Sequence, residues 1–396
     1  MAVGTLDDLL AEPSGARGKR VLVRADLNVP LKDGRIGDDT RIRAALGTLR
    51  RLLAGGARVV LTSHLGRPKG AAKPELSLRP VATRLGELLG RPVAFAPECV
   101  GPVAEAAVAK LRDGELLLLE NLRFHKEEEK NDPAFAKQLA ALADVYVNDA
   151  FGTAHRAHAS TAGLVPFVAR SVAGDLLRAE LDQLRVVREP VRPLVCFLGG
   201  AKVSDKLAVL EALAPHTDVL AVGGAMAYTF LLAQGRATGE SLVEADRVDD
   251  AKRVIAAARA AGRELLLPTD HVIAEKLEPG AAARVVNEIP AGWRGVDIGP
   301  ETAARYAAAA KRARTIFWNG PMGVFEIDAF AKGTEAVAKA VAESGAHSVV
   351  GGGDSLAAVN KLGLGGRITH LSTGGGASLE YVQGLALPGV VALERP

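Results

Sequence analysis

Short, continuous apolar runs separated by helix-length amphipathic stretches recur from one end of this 396-residue chain to the other. In the first half they fall at 21–27, 59–63, 93–96, 116–119 and 145–147. In the second they fall at 194–198, 219–222, 264–267, 315–318, 348–350 and 368–372. Runs that are continuous rather than alternating mark strands buried on both faces, which is the signature of parallel sheets. The stretches between them, such as 41–54, 79–89 and 102–111, place Leu or Ala at helical spacing. The expected fold class is therefore α/β, with two doubly wound parallel-sheet domains of Rossmann type joined by a helix and a hinge. A chain of this length exceeds one ordinary core. The charged segment 171–190, closed by Glu189-Pro190 and Arg192-Pro193, is the expected interdomain helix. It leaves domains at 1–170 and from 191 onward.

Aromatic residues make up only 4% of the chain, so its cores must be built from Ala, Val and Leu, which suits sheets covered by helices. A net charge of +3, with the small basic excess in the first half, argues against a nucleic-acid surface and fits a cleft for small anions. Cys99 and Cys196 lie in or beside apolar segments without a CxxC pair, and are expected as packed, reduced thiols. The acidic start does not read as a secretory signal, and the longest uncharged stretch, 219–235, is interrupted by Gly223, Gly224 and Gln234. The expectation is a cytoplasmic protein with no membrane partner.

In open α/β sheets, ligands bind beyond the carboxyl ends of the strands. Nine of the runs end in polar or glycine-rich segments rather than plain turns. In the first half, Arg41, Arg67, Arg123 and Arg156 stand at predicted strand ends or helix starts, where planar guanidinium forks suit phosphate or carboxylate. His64 and Asn28 add hydrogen-bonding groups, and Asp26 could orient an arginine or take a substrate hydroxyl. One such arginine would pass for a surface charge; four form a candidate site. His155 and His158 lack a third partner for a metal.

In the second half, Gly-Gly-Ala-Lys-Val-Ser-Asp-Lys (199–206) follows a strand and is expected to open a helix, with Lys202 and Lys206 on one face around an anion. It is not a Walker A loop. The glycine turns at 351–355 and 373–378 could cradle phosphate on backbone N–H groups, and Asp354 could hold Mg²⁺ on a nucleotide. Glu326 could accept ribose hydroxyls. No dinucleotide fingerprint is present, which argues against a dehydrogenase.

Several segments then carry a resemblance over essentially the whole chain: Arg-Ala-Asp-Leu-Asn-Val-Pro (24–30), Ser-His-Leu-Gly-Arg-Pro-Lys-Gly (63–70), Glu-Asn-Leu-Arg-Phe (120–124), Asn-Asp-Ala-Phe-Gly-Thr-Ala-His-Arg (148–156), the 199–206 segment, Trp-Asn-Gly-Pro-Met-Gly-Val-Phe-Glu (318–326) and Ser-Thr-Gly-Gly-Gly-Ala-Ser-Leu-Glu (372–380). Together they resemble phosphoglycerate kinase. The resemblance implies that Asp26, Leu27, Asn28, Arg41, His64, Leu65, Gly66, Arg67, Arg123 and Arg156 hold 3-phosphoglycerate. Lys206, Gly223, Gly224, Gly295, Asn319, Glu326, Gly352, Gly353, Asp354 and Ser355 would hold ADP or ATP, with Asp354 near Mg²⁺. Arg41, Lys202, Lys206 and the backbone at Gly351 and Gly374 would carry catalysis.

The implied reaction is phosphoryl transfer between 1,3-bisphosphoglycerate and ADP by a monomer that closes on a hinge, with 373–396 returning to the first domain and the nucleotide domain ending at 372. Ala225 stands where the family usually has a third glycine, Ser355 where many members have threonine, Gly47 for a usual proline, and Thr269 for a usual valine. The alternatives are another α/β kinase acting on a small carboxylate and a catalytically idle nucleotide-binding scaffold.

Overall fold

The computed structural model describes residues 3–394. It separates into two compact units, Met1–Leu181 with Ala386–Pro396, and Asp182–Leu385. The first is built on a six-stranded sheet in the order Ala94–Ala96, Leu116–Leu119, Arg58–Thr62, Arg20–Ala25, Val145–Asp149, Arg170–Ala173. Every pairing in it is parallel. Val21, Val23, Val59, Leu61, Leu116 and Leu118 are buried under the helices Thr40–Ala54 and Arg79–Leu89. Each fully buried Leu or Val of this kind adds about 1.5–3 kcal/mol of burial free energy. Register sets Ala25 beside Asp149 and Arg24 beside Thr62, so the loops beginning at Asp26 and Ser63 leave from one edge.

The second unit carries a six-stranded sheet in the order Glu264–Leu266, Val219–Val222, Leu194–Leu198, Thr315–Asn319, His347–Gly351, His370–Ser372, again all parallel. Counted within the sheet this order is 3-2-1-4-5-6, and the reversal falls between Leu194–Leu198 and Thr315–Asn319. Asn319 pairs with both Leu198 and Gly351, and Gly351 with Ser372. The glycine turns after these strands therefore open along one edge.

Each of the eleven apolar runs overlaps a sheet strand, but the sequence reading left out strands that carry no such run. Residues 170–173 form a strand, Arg170–Ala173, so the helix expected over 171–190 is Asp175–Arg188 instead. The boundary between units falls inside that helix. A separate antiparallel sheet, ordered Ala283–Val286, His271–Ala274, Arg294–Ile298, was not anticipated. The return to the first unit begins at Ala386 rather than 373, because the helix Gly376–Val382 packs in the second unit.

Cys99 and Cys196 are both buried and free. Among the described residues no helix is long and apolar enough to cross a membrane.

The amino end of the helix Asp175–Arg188 is anchored in the first unit. The Asp149 Oδ1 accepts the N–H groups of Leu176 (2.9 Å) and Leu177 (3.2 Å), and the Thr48 hydroxyl accepts that of Asp175 (2.9 Å). Asp149 thus caps a helix from across the fold, satisfying donors that a helix start leaves open.

Candidate active site

In the first unit Arg41 follows directly on the start of the helix Thr40–Ala54 and reaches back to Asp26, 2.5 Å away. The loop after Arg58–Thr62 is folded onto the neighbouring strand ends. The Gly66 N–H donates to Asn28 Oδ1 at 2.8 Å, and the Leu65 N–H to Asn121 Oδ1 at 3.1 Å. Arg123 is buried and donates to the Gly66 carbonyl at 2.9 Å, while Glu129 lies 3.2 Å from its Nε. Leu27 is fully buried and its N–H donates to the Ser63 hydroxyl, so it supports the loop through its backbone.

His64 is 4% exposed, and its Nδ1 lies 3.2 Å from Nη2 of Arg24. A guanidinium has no acceptor, so Nδ1 must accept and the imidazole proton sits on Nε2. Burial holds the His64 pKa well below its usual value, and the nearby Arg24, Arg123, Arg41 and His158 push it the same way. His64 is thus a neutral donor at pH 7. Burial likewise pulls Arg123 below the usual arginine range; Glu129 opposes this, whereas Arg156 and Arg24 add to it. Arg24, Arg41, Arg123, Arg156 and His64 therefore share one field, and an anion would relieve their repulsion. Arg156 is exposed and donates to His155 at 3.2 Å; Arg67 is exposed on the His64 loop.

Arg24 is the residue the sequence reading missed. It is fully buried, bonded to the Ser160 hydroxyl (2.8 Å) and the Ala25 carbonyl (2.5 Å), while buried Glu128 accepts from Ser160. The signal was available, since an arginine inside an apolar strand run must find partners.

In the second unit a cavity of about 570 Å³ brings together Gly224, Gly295, Glu326 and Asp354. Glycines shape it. A methyl group on Gly223 would meet Met322, and one on Gly295 would meet the Tyr228 hydroxyl. Gly224, at φ +68°, lies against the backbone of Gly200. Ala225 is part of the cavity wall, so its methyl group does narrow that side.

Lys206 donates to the Asn319 carbonyl (2.7 Å) and to Asn319 Oδ1 (2.5 Å), across the reversal in the sheet. Burial lowers its pKa to about 8, opposed by Asp354 and Asp205. Lys206 thus sits between Asn319, which it bonds, and Asp354, whose charge it feels. Gly351 ends its strand beside Asn319, and Gly352, at φ +89°, caps the helix Gly353–Lys361, whose first turn holds Asp354. Ser355 faces inward instead: it is buried, and its hydroxyl accepts the Gly320 N–H at 2.6 Å. Gly374 is buried, its N–H directed at the Ser372 hydroxyl at 3.3 Å.

Lys202 departs from expectation. The segment 201–206 is a turn, and the helix Leu207–Leu213 begins only after Lys206, so the two lysines do not share a helical face. Buried Val203 and the bonds from Ser204 to Glu244 (2.5 and 2.9 Å) hold the loop off helical geometry and leave Lys202 exposed near Glu244. Asp297, also unforeseen, is a buried acid in the cavity wall.

The family model for phosphoglycerate kinase matches residues 12–385. A phosphoglycerate kinase of Moorella thermoacetica is 58% identical over 99% of both chains. A cytosolic phosphoglycerate kinase of wheat, Triticum aestivum, is 53% identical over 100% of this chain and 98% of its own. Among solved structures, phosphoglycerate kinase from Coxiella burnetii superposes with a TM-score of 0.89 at 42% identity over 99% of both chains. With a six-stranded parallel sheet in each of two units, and likeness along its whole length, this chain belongs to the phosphoglycerate kinase family.

Proposed function

We propose that this chain transfers a phosphoryl group reversibly between 1,3-bisphosphoglycerate and ADP, giving 3-phosphoglycerate and ATP, with the acid held in the first unit and the nucleotide in the second. The observation that carries this reading is the gathering of Arg24, Arg41 and Arg123 around neutral His64, with Arg156 adding to the same positive field. Arg41, Arg67, Arg123 and Arg156 bind the phosphate and carboxylate of the acid, and His64 donates from Nε2. Asp26 and Asn28 position Arg41 and the Gly66 loop. Gly223, Gly224, Gly295 and Glu326 receive the base and ribose, while Lys206, Asn319 and the 352–355 turn face the phosphates.

The acceptor in the reverse direction is a carboxylate, ionised near neutral pH, so no general base is required. Catalysis is alignment together with stabilisation of charge on the moving phosphoryl group. We assign that to Arg41, Lys202, Lys206 and the backbone at Gly351 and Gly374. Lys202 is free of the helix and exposed, which suits a side chain that engages only once phosphate is present. Lys202→Ala should lower turnover far more than nucleotide affinity; equal losses would remove it from the transition state.

Among the described residues no cluster of three His, Cys, Asp or Glu could hold a metal unaided. Asp354, in the first turn of the helix Gly353–Lys361 and close to Lys206, would be the protein ligand of a Mg²⁺ carried on nucleotide phosphates, which would neutralise phosphate charge. Each half-site lies in its own unit, and hinge motion about the helix Asp175–Arg188 and the crossing near 385 is the proposed route to exclusion of water from the acyl phosphate. The protein acts as a cytoplasmic monomer. Nothing favours an idle scaffold. An ATP-dependent assay with 3-phosphoglycerate and other small acids, with Arg41→Ala as control, tests the reading. Turnover of another acid in preference to 3-phosphoglycerate would overturn it.

A further inference from the structure

We propose that Asp297 is a positioning residue for the nucleotide: it ties the strand that carries Gly295 to the helix Lys332–Glu343, against which the loop 321–326 packs, and so sets how tightly ADP is held. The inference rests on reading the second-unit cavity as the nucleotide site. Asp297 is 1% exposed and lines that cavity on the strand Arg294–Ile298. One carboxylate oxygen accepts the Ile298 N–H at 2.9 Å; the other accepts the N–H of Gly333, in the helix Lys332–Glu343, at 2.6 Å. Gly323 in the loop and Gly333 in the helix both press against the carboxylate so closely that a methyl group at either would strike it. Two further bonds close the same junction: the Val324 N–H to the Val296 carbonyl (2.8 Å) and the Met322 N–H to the Thr334 hydroxyl (3.0 Å). Strand, loop and helix thus meet on one buried acid that also faces the ligand.

A carboxylate accepts two backbone N–H groups more strongly than a neutral acid does. Burial lifts the Asp297 pKa to about 7, with the Gly333 and Ile298 N–H groups opposing and Glu335 reinforcing. The other titratable and charged groups on the packed elements are Tyr228 on the helix Met226–Ala233, which feels Asp297, and Lys332, paired with Glu335 at 3.2 Å. His271, on the neighbouring strand, is stacked against Tyr228 and is held to about 4 by burial; Glu326 lies on the loop and Arg294 on the same strand. The clamp therefore loosens as pH falls through about 7.

The test is steady-state kinetics for ADP and 1,3-bisphosphoglycerate between pH 6 and 9, on wild type, Asp297→Asn and Thr334→Val. Asp297→Asn keeps the volume but sets an NH2 against a backbone donor. It should raise KM for ADP about 3–10-fold, the scale of one ordinary hydrogen bond, and leave kcat and KM for the acid within about twofold. Wild-type KM for ADP should rise several-fold from pH 8 to 6, and in Asp297→Asn that rise should shrink to the part contributed by ADP itself. Titration of the ADP phosphates is common to both proteins and cancels in the comparison.

Thr334→Val removes only the neighbouring bond, and should raise KM for ADP while keeping the wild-type pH profile. If Asp297→Asn does not fold, a wild-type KM for ADP that is flat across this range still overturns the proposal. A wild-type pH profile in Asp297→Asn, or equal changes in both KM values, also overturns it. Gly295→Ala separates the two levels of inference: if it leaves KM for ADP unchanged, the nucleotide reading of the cavity itself fails, whereas a large effect there with no pH difference at Asp297 sinks only the clamp.

Discussion

The first unit's site buries Arg24, Arg123 and His64 and surrounds them with further guanidiniums, whereas the second unit's cavity is lined by glycines, acids and Arg294, with the half-buried ammonium of Lys206 close to its Gly200 and Asp354. The first recognises charge by concentrating the opposite charge on rigid forks, each tied to a backbone carbonyl or a carboxylate. On the proposed reading, the second makes room for a bulky, largely apolar base by omitting side chains at Gly223, Gly224 and Gly295, with Lys206 as the ammonium beside Asp354. Loss of a side chain should therefore cripple the first site, and gain of one should cripple the second.

Arg41→Ala should show this most strongly, lowering kcat/KM for 3-phosphoglycerate by about 10²–10³-fold with ADP affinity unchanged. Loss of ADP affinity as well would break the contrast. Gly295→Ala should raise KM for ADP about tenfold or more by driving a methyl group into the Tyr228 hydroxyl. Adding Tyr228→Leu, which removes the ring atoms that the methyl group would meet, should recover part of the loss, and a double variant no better than the single would place the obstruction elsewhere.

The single ammonium should also leave a pH signature. The free protein loses the Lys206 charge as pH rises through about 8, so kcat/KM for nucleotide should fall above that point. Lys206→Arg, always charged, should abolish that alkaline fall even if its overall rate is lower. A fall that persists would assign it to another group.

The smallest effect is on stability in the first unit. Burial lifts the Asp149 pKa to about 6, so the native state keeps a proton that the unfolded chain releases near its ordinary value of about 4. The stability contributed by that proton is complete at lower pH and is lost as pH rises to about 6. Asp149→Asn should flatten this slope in urea unfolding, and Asp149→Ala should cost about 1 kcal/mol through the lost helix cap. A slope unchanged by Asp149→Asn would contradict it.

The contrast also explains what could be read from the chain alone. Strands buried on both faces declare themselves as apolar runs, so Leu116–Leu119 and Leu194–Leu198 were plain. Arg170–Ala173 was not, because it opens with arginine and serine and borders a charged helix. The antiparallel sheet was hidden by short strands, such as Ala283–Val286, with exposed residues. The arginines of the first site stood out as residue types in a pattern. Arg24 was passed over because its partners, Ser160 and Glu128, lie far along the chain. The role of Asp297 depends on Gly323 and Gly333 arriving from separate segments, which no local spacing encodes. Lys202 was misplaced because i, i+4 spacing was taken for helix where Val203 and Ser204 pin a turn.

The most direct test of two separable half-sites is calorimetric titration of 3-phosphoglycerate and of ADP, each alone, into wild type, Arg123→Ala and Gly295→Ala. The account predicts that Arg123→Ala loses the acid and keeps ADP, while Gly295→Ala loses ADP and keeps the acid. Either variant losing both ligands while remaining folded would contradict it.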